Sequence, residues 1–256
     1  MAKATNGPAH SKALKVSLDT KVTPSRASGL STFEALLATA GELLGEVGFE
    51  SLSTNLICSR AGLTPPALYR YFPNKYAVLK ELGRRLMKAQ DDAVFAWMQA
   101  GGLETTTLAE AVASNRRLQD EVNAVTRGHP GGIWIMRALR SVPILHEVRI
   151  ESRDEVALGV REVLRPRYPS LTDEQLLAAT RLSTEMMYAA TEMAMAAPEQ
   201  EARINEEICW MVCGYYDQLE ARHAQTASVS EAGDSSSPGP APRRPARSSR
   251  RAERKG

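Results

Sequence analysis

Cysteine is scarce in this chain. Three cysteines in 256 residues, an odd and low number, cannot build a disulfide framework and fit a reducing compartment. Long apolar runs are missing as well: nothing approaches the roughly 18 uninterrupted apolar residues needed to cross a bilayer. The N-terminal stretch MAKATNGPAHSKALKVSLDT is basic but has no apolar segment of the kind a secretory signal requires. A cytoplasmic location with no membrane partner is therefore expected. No alternating strand pattern and no internal repeat can be traced. Nor is there a Ser-centred elbow, a phosphate loop, a paired zinc-ligand motif or a dinucleotide fingerprint, so neither an enzyme nor a cofactor or metal is expected.

What is present is helical periodicity and an uneven charge. Hydrophobic residues make up 43% of the chain, enough to bury a core at this length. The formal net charge is only +2, but residues 1–31 carry +4, residues 32–88 carry +2, residues 89–223 carry −8 and residues 224–256 carry +4. A basic front and an acidic middle point to nucleic-acid contact at the front alone. Residues 1–30 lack periodic apolar positions and read as a disordered basic arm. Residues 224–256 are rich in Ser, Pro, Ala and Arg, bury too little surface to offset their ordering entropy, and read as a disordered basic tail.

Between these ends the fold class is all-α. Phe33, Leu36, Leu37, Ala40, Leu43, Leu44 and Val47 fall on one helical face, and Gly48 suits a C-cap. Leu108, Val112, Asn115, Leu118, Val122 and Val125 mark a second long helix. A third runs from Pro143 to about Leu164, with Pro166 just past its end. Thr172 and Gln175 form a capping box, flanked by Leu171 and Leu176 as a hydrophobic staple. Ile204, Ile208, Met211, Val212, Tyr215 and Leu219 mark the last helix.

The informative stretch is Ser51 to Lys75, SLSTNLICSRAGLTPPALYRYFPNK. Ser53 can cap a short helix with Leu56, Ile57 and Ala61 on its inner face. Gly62 follows where a sharp turn needs positive φ, and Leu63 can plug the corner. Thr64 is a good N-cap with Pro65 at the favoured first helical position. The next helix must stop before Pro73. Two short helices across a tight glycine turn make a helix-turn-helix, whose second helix is the candidate reader of a DNA major groove.

Here the chain resembles the tetracycline-repressor (TetR) family. The resemblance is carried by helix one from Phe33, Gly48-Phe49, Ala61-Gly62-Leu63-Thr64, Leu68-Tyr69-Arg70-Tyr71-Phe72 and Asn74-Lys75, and covers about residues 32–80. It implies a three-helix DNA-binding domain at 31–78 followed by a helical ligand-binding and dimerisation domain at 79–223. It also implies a DNA-binding set of Ser53, Thr54, Asn55, Thr64, Pro65, Pro66, Ala67, Tyr69, Arg70, Tyr71 and Lys75. Lys75 matches the family's phosphate-binding lysine, whereas Leu68 and Phe72 face the core. Arg70 is the one strong base reader in the recognition helix, able to bind guanine O6 and N7. Pro65 and Pro66 remove two amide donors from the helix start, which makes it a poor phosphate clamp. The residue types leave other roles open: burial for Tyr71, an ion pair with Glu42 or Glu46 for Arg70, plain solvation for Lys75.

Farther on, Trp97, Trp134, Met136, His146, Met186, Met187, Tyr188, Met193 and Met195 are candidate pocket residues, methionine being adaptable to apolar ligands. Ordinary helix core is the competing reading for each. The helices near 172–197 and 199–222 are the dimer candidates, with Gly214 allowing close approach and Trp210 one turn before it. Cys209 and Cys213, four residues apart, read as buried structural thiols. The expected function is a repressor, released from double-stranded operator DNA by a small apolar or amphipathic molecule and working as a homodimer. An activator of the same family and a helical protein binding DNA without sequence preference are the alternatives.

Overall fold

The computed structural model describes residues 16–234, with side chains to residue 219. Within them the chain forms helices α1 (Ala27–Ser51), α2 (Thr54–Arg60), α3 (Pro65–Tyr69), α4 (Lys75–Gln99), α5 (Leu108–Gly128), α6 (Gly132–Ser141), α7 (His146–Leu164), α8 (Asp173–Ala196) and α9 (Glu201–Asp234). No strand occurs among the described residues, and none of their helices is long and apolar enough to cross a membrane.

The apolar stripe of α1 is buried from Phe33 to Leu44. Val47 departs from it and is exposed, because the helix breaks at Gly48, whose φ is +73°. Against this stripe lie Leu52, Ile57, Leu68 and Phe72, and then Val78, Leu79, Leu82 and Leu86 of α4. Phe33 anchors the group, stacked on Phe72 at 4.9 Å and edge-on to Tyr71 at 5.5 Å. The same cluster continues through Ile135, Met136 and Leu139 of α6 to Val148 of α7 and Tyr188 of α8. Helix α4 runs straight through residues 78 and 79, where the expected domain boundary falls. The described residues up to Asp217 form one compact unit, and a second begins at Gln218 within α9.

Helix α6 is an element the sequence reading misses, although Gly132, Ile135, Met136 and Leu139 recur at i, i+3, i+4 and i+7 and form its buried face. It is ten residues long, starts at Gly131–Gly132 without a capping side chain, and is held by what it touches. A β-carbon at Gly41 would sit 2.5 Å from the Pro130 carbonyl oxygen, so glycine is what lets the turn between α5 and α6 lie directly on α1.

The caps behave as their residue types require. Thr107–Glu110 and Thr172–Gln175 both form reciprocal capping boxes at the starts of α5 and α8. Pro143 opens a single 3-10 turn before α7, and Pro166 lies in another just after it. Buried amides join α5 to its neighbours: Gln119 donates to Thr191 Oγ1 on α8 at 2.8 Å, and Asn123 to Asn205 Oδ1 on α9 at 3.1 Å.

Both end segments differ from expectation where they are described. Residues 16–26 lie against α3 and α4 through named bonds given below, and α1 starts at Ala27 rather than after residue 30. Residues 224–234 are helical, continuing α9. The remainder of the expected arm and tail, residues 1–15 and 235–256, lies outside the described residues.

Candidate nucleic-acid interface

Ser53 closes the start of α2, its Oγ accepting from the Leu56 amide at 3.2 Å. Ile57 and Cys58 bury the inner face of that helix, and Leu63 packs against the core at the corner. Gly62 makes the turn at φ +65°, a conformation that any other residue would adopt only at a cost. Thr64 is the N-cap of α3, but its hydroxyl makes no capping bond. Pro66 has no amide hydrogen, and the Ala67 amide bonds to the Thr64 carbonyl oxygen at 2.9 Å. The Thr64 hydroxyl thus faces outward without a partner among the described residues.

The exposed surface formed this way carries Ser53, Asn55, Thr64, Pro65, Pro66, Tyr69 and Arg70, with Thr54 and Ala67 half-buried beside them. Thr54 Oγ1 and the Tyr69 hydroxyl are 3.0 Å apart, tying α2 to α3. Arg70 forms no ion pair among the described residues and rests 5.7 Å from the Tyr71 ring centre. The alternative pairing of Arg70 with α1 is not seen, because Glu46 is taken by Arg60 in a bidentate pair at 2.9 and 2.8 Å. That hydrogen bond holds the Glu46 carboxyl below its ordinary range.

Two members of the expected DNA-binding set are corrected. Tyr71 is only 3% exposed. Its ring meets Phe33 and its hydroxyl donates to the Gly29 carbonyl at 3.3 Å, so it props α1 instead of facing DNA. Lys75 directs its ammonium to the carbonyls of Phe49, Glu50 and Leu52 at 3.1, 3.5 and 3.0 Å and lies 4.5 Å from the Phe49 ring centre. An ammonium has three donors, and here all three close the C-terminal end of α1. Lys75 is therefore a positioning residue in this structure, not a free phosphate ligand.

A basic group missed in the sequence stands nearby. Lys21 donates its backbone amide to the Tyr71 carbonyl at 2.7 Å and its ammonium to the Tyr69 carbonyl at 3.1 Å. Asn74 fixes the same arm, donating to Ser17 O at 2.8 Å while its Oδ1 caps α4 at Ala77. Lys80 pairs with Asp19 at 3.0 Å. No periodic apolar pattern marks residues 16–26, because backbone and polar contacts, which leave no such trace, hold them.

The candidate pocket residues do not come together as a set. A cavity of about 150 Å³ lies among α4, α5, α7, α8 and the first half of α9, and of the expected residues Trp97, Met187 and Tyr188 line it. Trp97 donates its indole N–H to Ser114 Oγ at 3.0 Å. The others are corrected. Met136 is buried in the core, with Gln90 on its sulfur at 3.7 Å. Trp134 is 39% exposed beside Gly45, under the Arg137 guanidinium at 4.8 Å. Met195 joins it in a separate shallow groove. His146 Nε2 bonds to the Arg140 carbonyl at 2.6 Å. Met186 packs on a cluster with Val112 and Ile208, and Met193 is 59% exposed.

The cavity is apolar along Val94, Leu118, Val156 and Val160, and polar at Gln90, Asp91 and Gln119. Gln90 and Asp91 are 1% and 7% exposed. Ser152 Oγ donates to Asp91 Oδ1 at 2.8 Å, and the Tyr188 hydroxyl lies 2.7 Å from Ser152 Oγ. Burial pushes the Asp91 carboxyl up to about 7, against these hydroxyls. Cys209 and Cys213 are buried free thiols pushed up by desolvation, to about 12 and about 11, so both stay protonated and unreactive at neutral pH.

Fold and surface together define a helix-turn-helix protein with a second helical region built around a cavity. Residues 36–82 match the family model of bacterial regulatory proteins, tetR family, and residues 107–215 match that of the tetracyclin repressor-like C-terminal domain. The tetracycline repressor protein class C of Escherichia coli is 44% identical over 54 residues, which is 21% of this chain and 25% of that protein. The match thus spans about a quarter of that relative's length. A TetR-family transcriptional regulator from Streptomyces coelicolor superposes with a TM-score of 0.50 at 21% identity, covering 73% of this chain and 98% of its own. The fatty acid degradation regulator FadR from Bacillus halodurans does so with a TM-score of 0.53 at 15% identity, covering 72% and 95%. At these identities the likeness to the solved structures is one of fold. The chain belongs to the tetR family of bacterial regulatory proteins, and is a DNA-binding transcriptional regulator. Members of this family are regulators, not enzymes.

Proposed function

We propose that this chain is a repressor that binds a palindromic operator as a homodimer and is released by a small molecule occupying the cavity. One observation carries the reading. The recognition surface with its unpaired Arg70 and the cavity with Trp97 and Asp91 are joined by a single helix, α4, which is 25 residues long or roughly 37 Å. A ligand that prefers one position of the cavity end of α4 also selects the spacing of the two recognition helices.

One helix-turn-helix per chain presents too small a surface for tight specific binding, which argues for two copies on successive major grooves. Support for the pairing face comes from α8 and α9, where Leu182, Met193, Trp210 and Met211 are exposed and a β-carbon at Gly214 would meet nothing within 4 Å. Such a surface suits a four-helix contact across a two-fold axis. The protein would then act in the cytoplasm.

Footprinting on the intergenic DNA upstream of the protein's own gene tests the operator reading, with random DNA as competitor. Protection of a pseudo-palindrome that survives the competitor is expected. Uniform protection that random DNA removes would overturn the reading in favour of non-specific binding. Light scattering that finds a monomer both free and on DNA would overturn the dimer.

A further inference from the structure

Asp91 is a buried carboxylate for which the protein supplies no cation. It lines the cavity yet takes part in no ion pair among the described residues. Its neighbours on α4, by contrast, are paired: Glu81 with Arg84 and Arg85, and Asp92 with Lys88. A buried acid with no cation beside it is held toward its neutral form, and a cationic guest on this cavity wall is what would let it ionise.

Its hydrogen bonds have a direction. Ser152 has one hydrogen and gives it to Asp91 Oδ1, so the Tyr188 hydroxyl donates to Ser152 in turn. Both hydroxyls therefore run toward the carboxylate, and the group is set up as an acceptor. The other charges that bear on it, Glu155 on α7 and Asp92 beside it on α4, are also negative. At Asp91 itself the potential thus favours a positive group, while Arg167 stands elsewhere on the cavity lining and the Arg149 guanidinium lies 5.4 Å from the Tyr188 ring centre. Elsewhere the wall is apolar at Val94, Leu118, Val156, Val160 and Leu164, with the ring of Trp97 at one side. Aromatic rings in such a wall are compatible with a cation.

We infer that the cavity takes an organic monocation, an amine on an apolar chain, with its nitrogen against Asp91 and its chain along the valine-rich wall. The inference rests on the reading of the cavity as the effector site and adds the chemical class of the effector. It narrows the sequence expectation of an apolar or amphipathic ligand to a basic one. A fatty acid gains nothing at Asp91, where its carboxylate would meet a second carboxylate, and would have to turn its head to Arg167 on the cavity lining instead.

The test is isothermal titration of the full-length protein with decylamine, 1-decanol and decanoate, which share one chain and differ in the head. The amine is expected to bind more tightly than either of the others by about tenfold or more. Asp91→Asn should bring the amine down to the level of the alcohol, while Glu121→Gln, a change at an exposed acid outside the cavity lining, should leave the preference in place. Equal affinities, no binding of the amine, or a preference that survives Asp91→Asn would each overturn the proposal. The comparison of heads on the unmodified protein decides the matter even where a variant fails to fold. Operator release measured alongside separates the two readings. If decanoate or decanol binds and releases DNA while the amine does not, the effector site stands and the cation falls. If the amine binds through Asp91 and DNA affinity is unmoved, the cation site stands and the effector reading falls.

Discussion

The two halves of α4 are built differently. Its first half presents Ala77, Val78, Leu79, Leu82 and Leu86 to the α1–α3 helices, each almost wholly buried. Its second half buries Gln90 and Asp91 and borders an open cavity. A close-packed interface has one arrangement and transmits displacement. A wall with free volume and weakly compensated polar groups can take more than one, and is where a ligand has something to gain. The tight half fixes the recognition helix to the lever, and the loose half is where the lever can be pushed.

The contrast is broken most directly by truncation on either side. Leu79→Ala should cost toward the upper part of the roughly 2–5 kcal/mol seen for buried leucines, because its surroundings cannot collapse. Leu118→Ala, on the cavity wall, should sit near the lower end. Urea unfolding of the two variants measures this, and equal losses would mean that the cavity end is as rigid as the other.

Asp91 gives a pH test with a definite sign. Its folded pKa of about 7 stands above the ordinary 3.8. Between those values the unfolded chain releases the proton while the fold keeps it, so rising pH weakens the fold across this window and the loss levels off above about 7. At most about 4 kcal/mol is at stake. Asp91→Asn should therefore raise stability at pH 8 and leave it nearly unchanged at pH 4. A melting temperature that rises equally at both values would show that the carboxyl is not held protonated by burial.

Lys75 and Arg70 sharpen the comparison at the DNA end. Lys75→Met removes a charge bonded to three carbonyls and should cost about 1.5–3 kcal/mol of stability. The salt dependence of DNA binding should stay where it was. A slope lowered by about one per subunit would instead return Lys75 to the phosphate backbone. Arg70→Ala should do the reverse. Its unfolding midpoint should not move, and operator binding should weaken by about 1–3 kcal/mol per lost bidentate contact, with relaxed preference at one base pair in each half-site. Unchanged base preferences in a binding-site selection would remove Arg70 from the readout.

Much of the chain was legible before any coordinates. The α1 stripe, the Ser53 cap, the glycine turn at 62 and the capping box at Thr172 are local devices, each determined by residue types a few positions apart. The family resemblance rested on the same short stretch. What sequence could not determine was which side chain finishes where. Tyr71 and Tyr69 are two residues apart and chemically identical, yet one meets Phe33 and the other faces out. Lys75 looks like any basic residue at a helix start until the C-terminal end of α1 is brought beside it. The turn before α6 lies on α1 because glycine leaves room for it, and residues 16–26 are placed by hydrogen bonds to α3 and α4. The cavity is the same case. Of the methionines chosen for their chemistry Met187 reached it while the others dispersed to the core, a groove and the surface, whereas Gln90 and Asp91, ordinary polar positions in the sequence, became its floor. Sequence determined the helices because helix formation is governed by neighbours within a turn. Tertiary structure decided the sites because a cavity or a binding face is made of residues that only packing brings together.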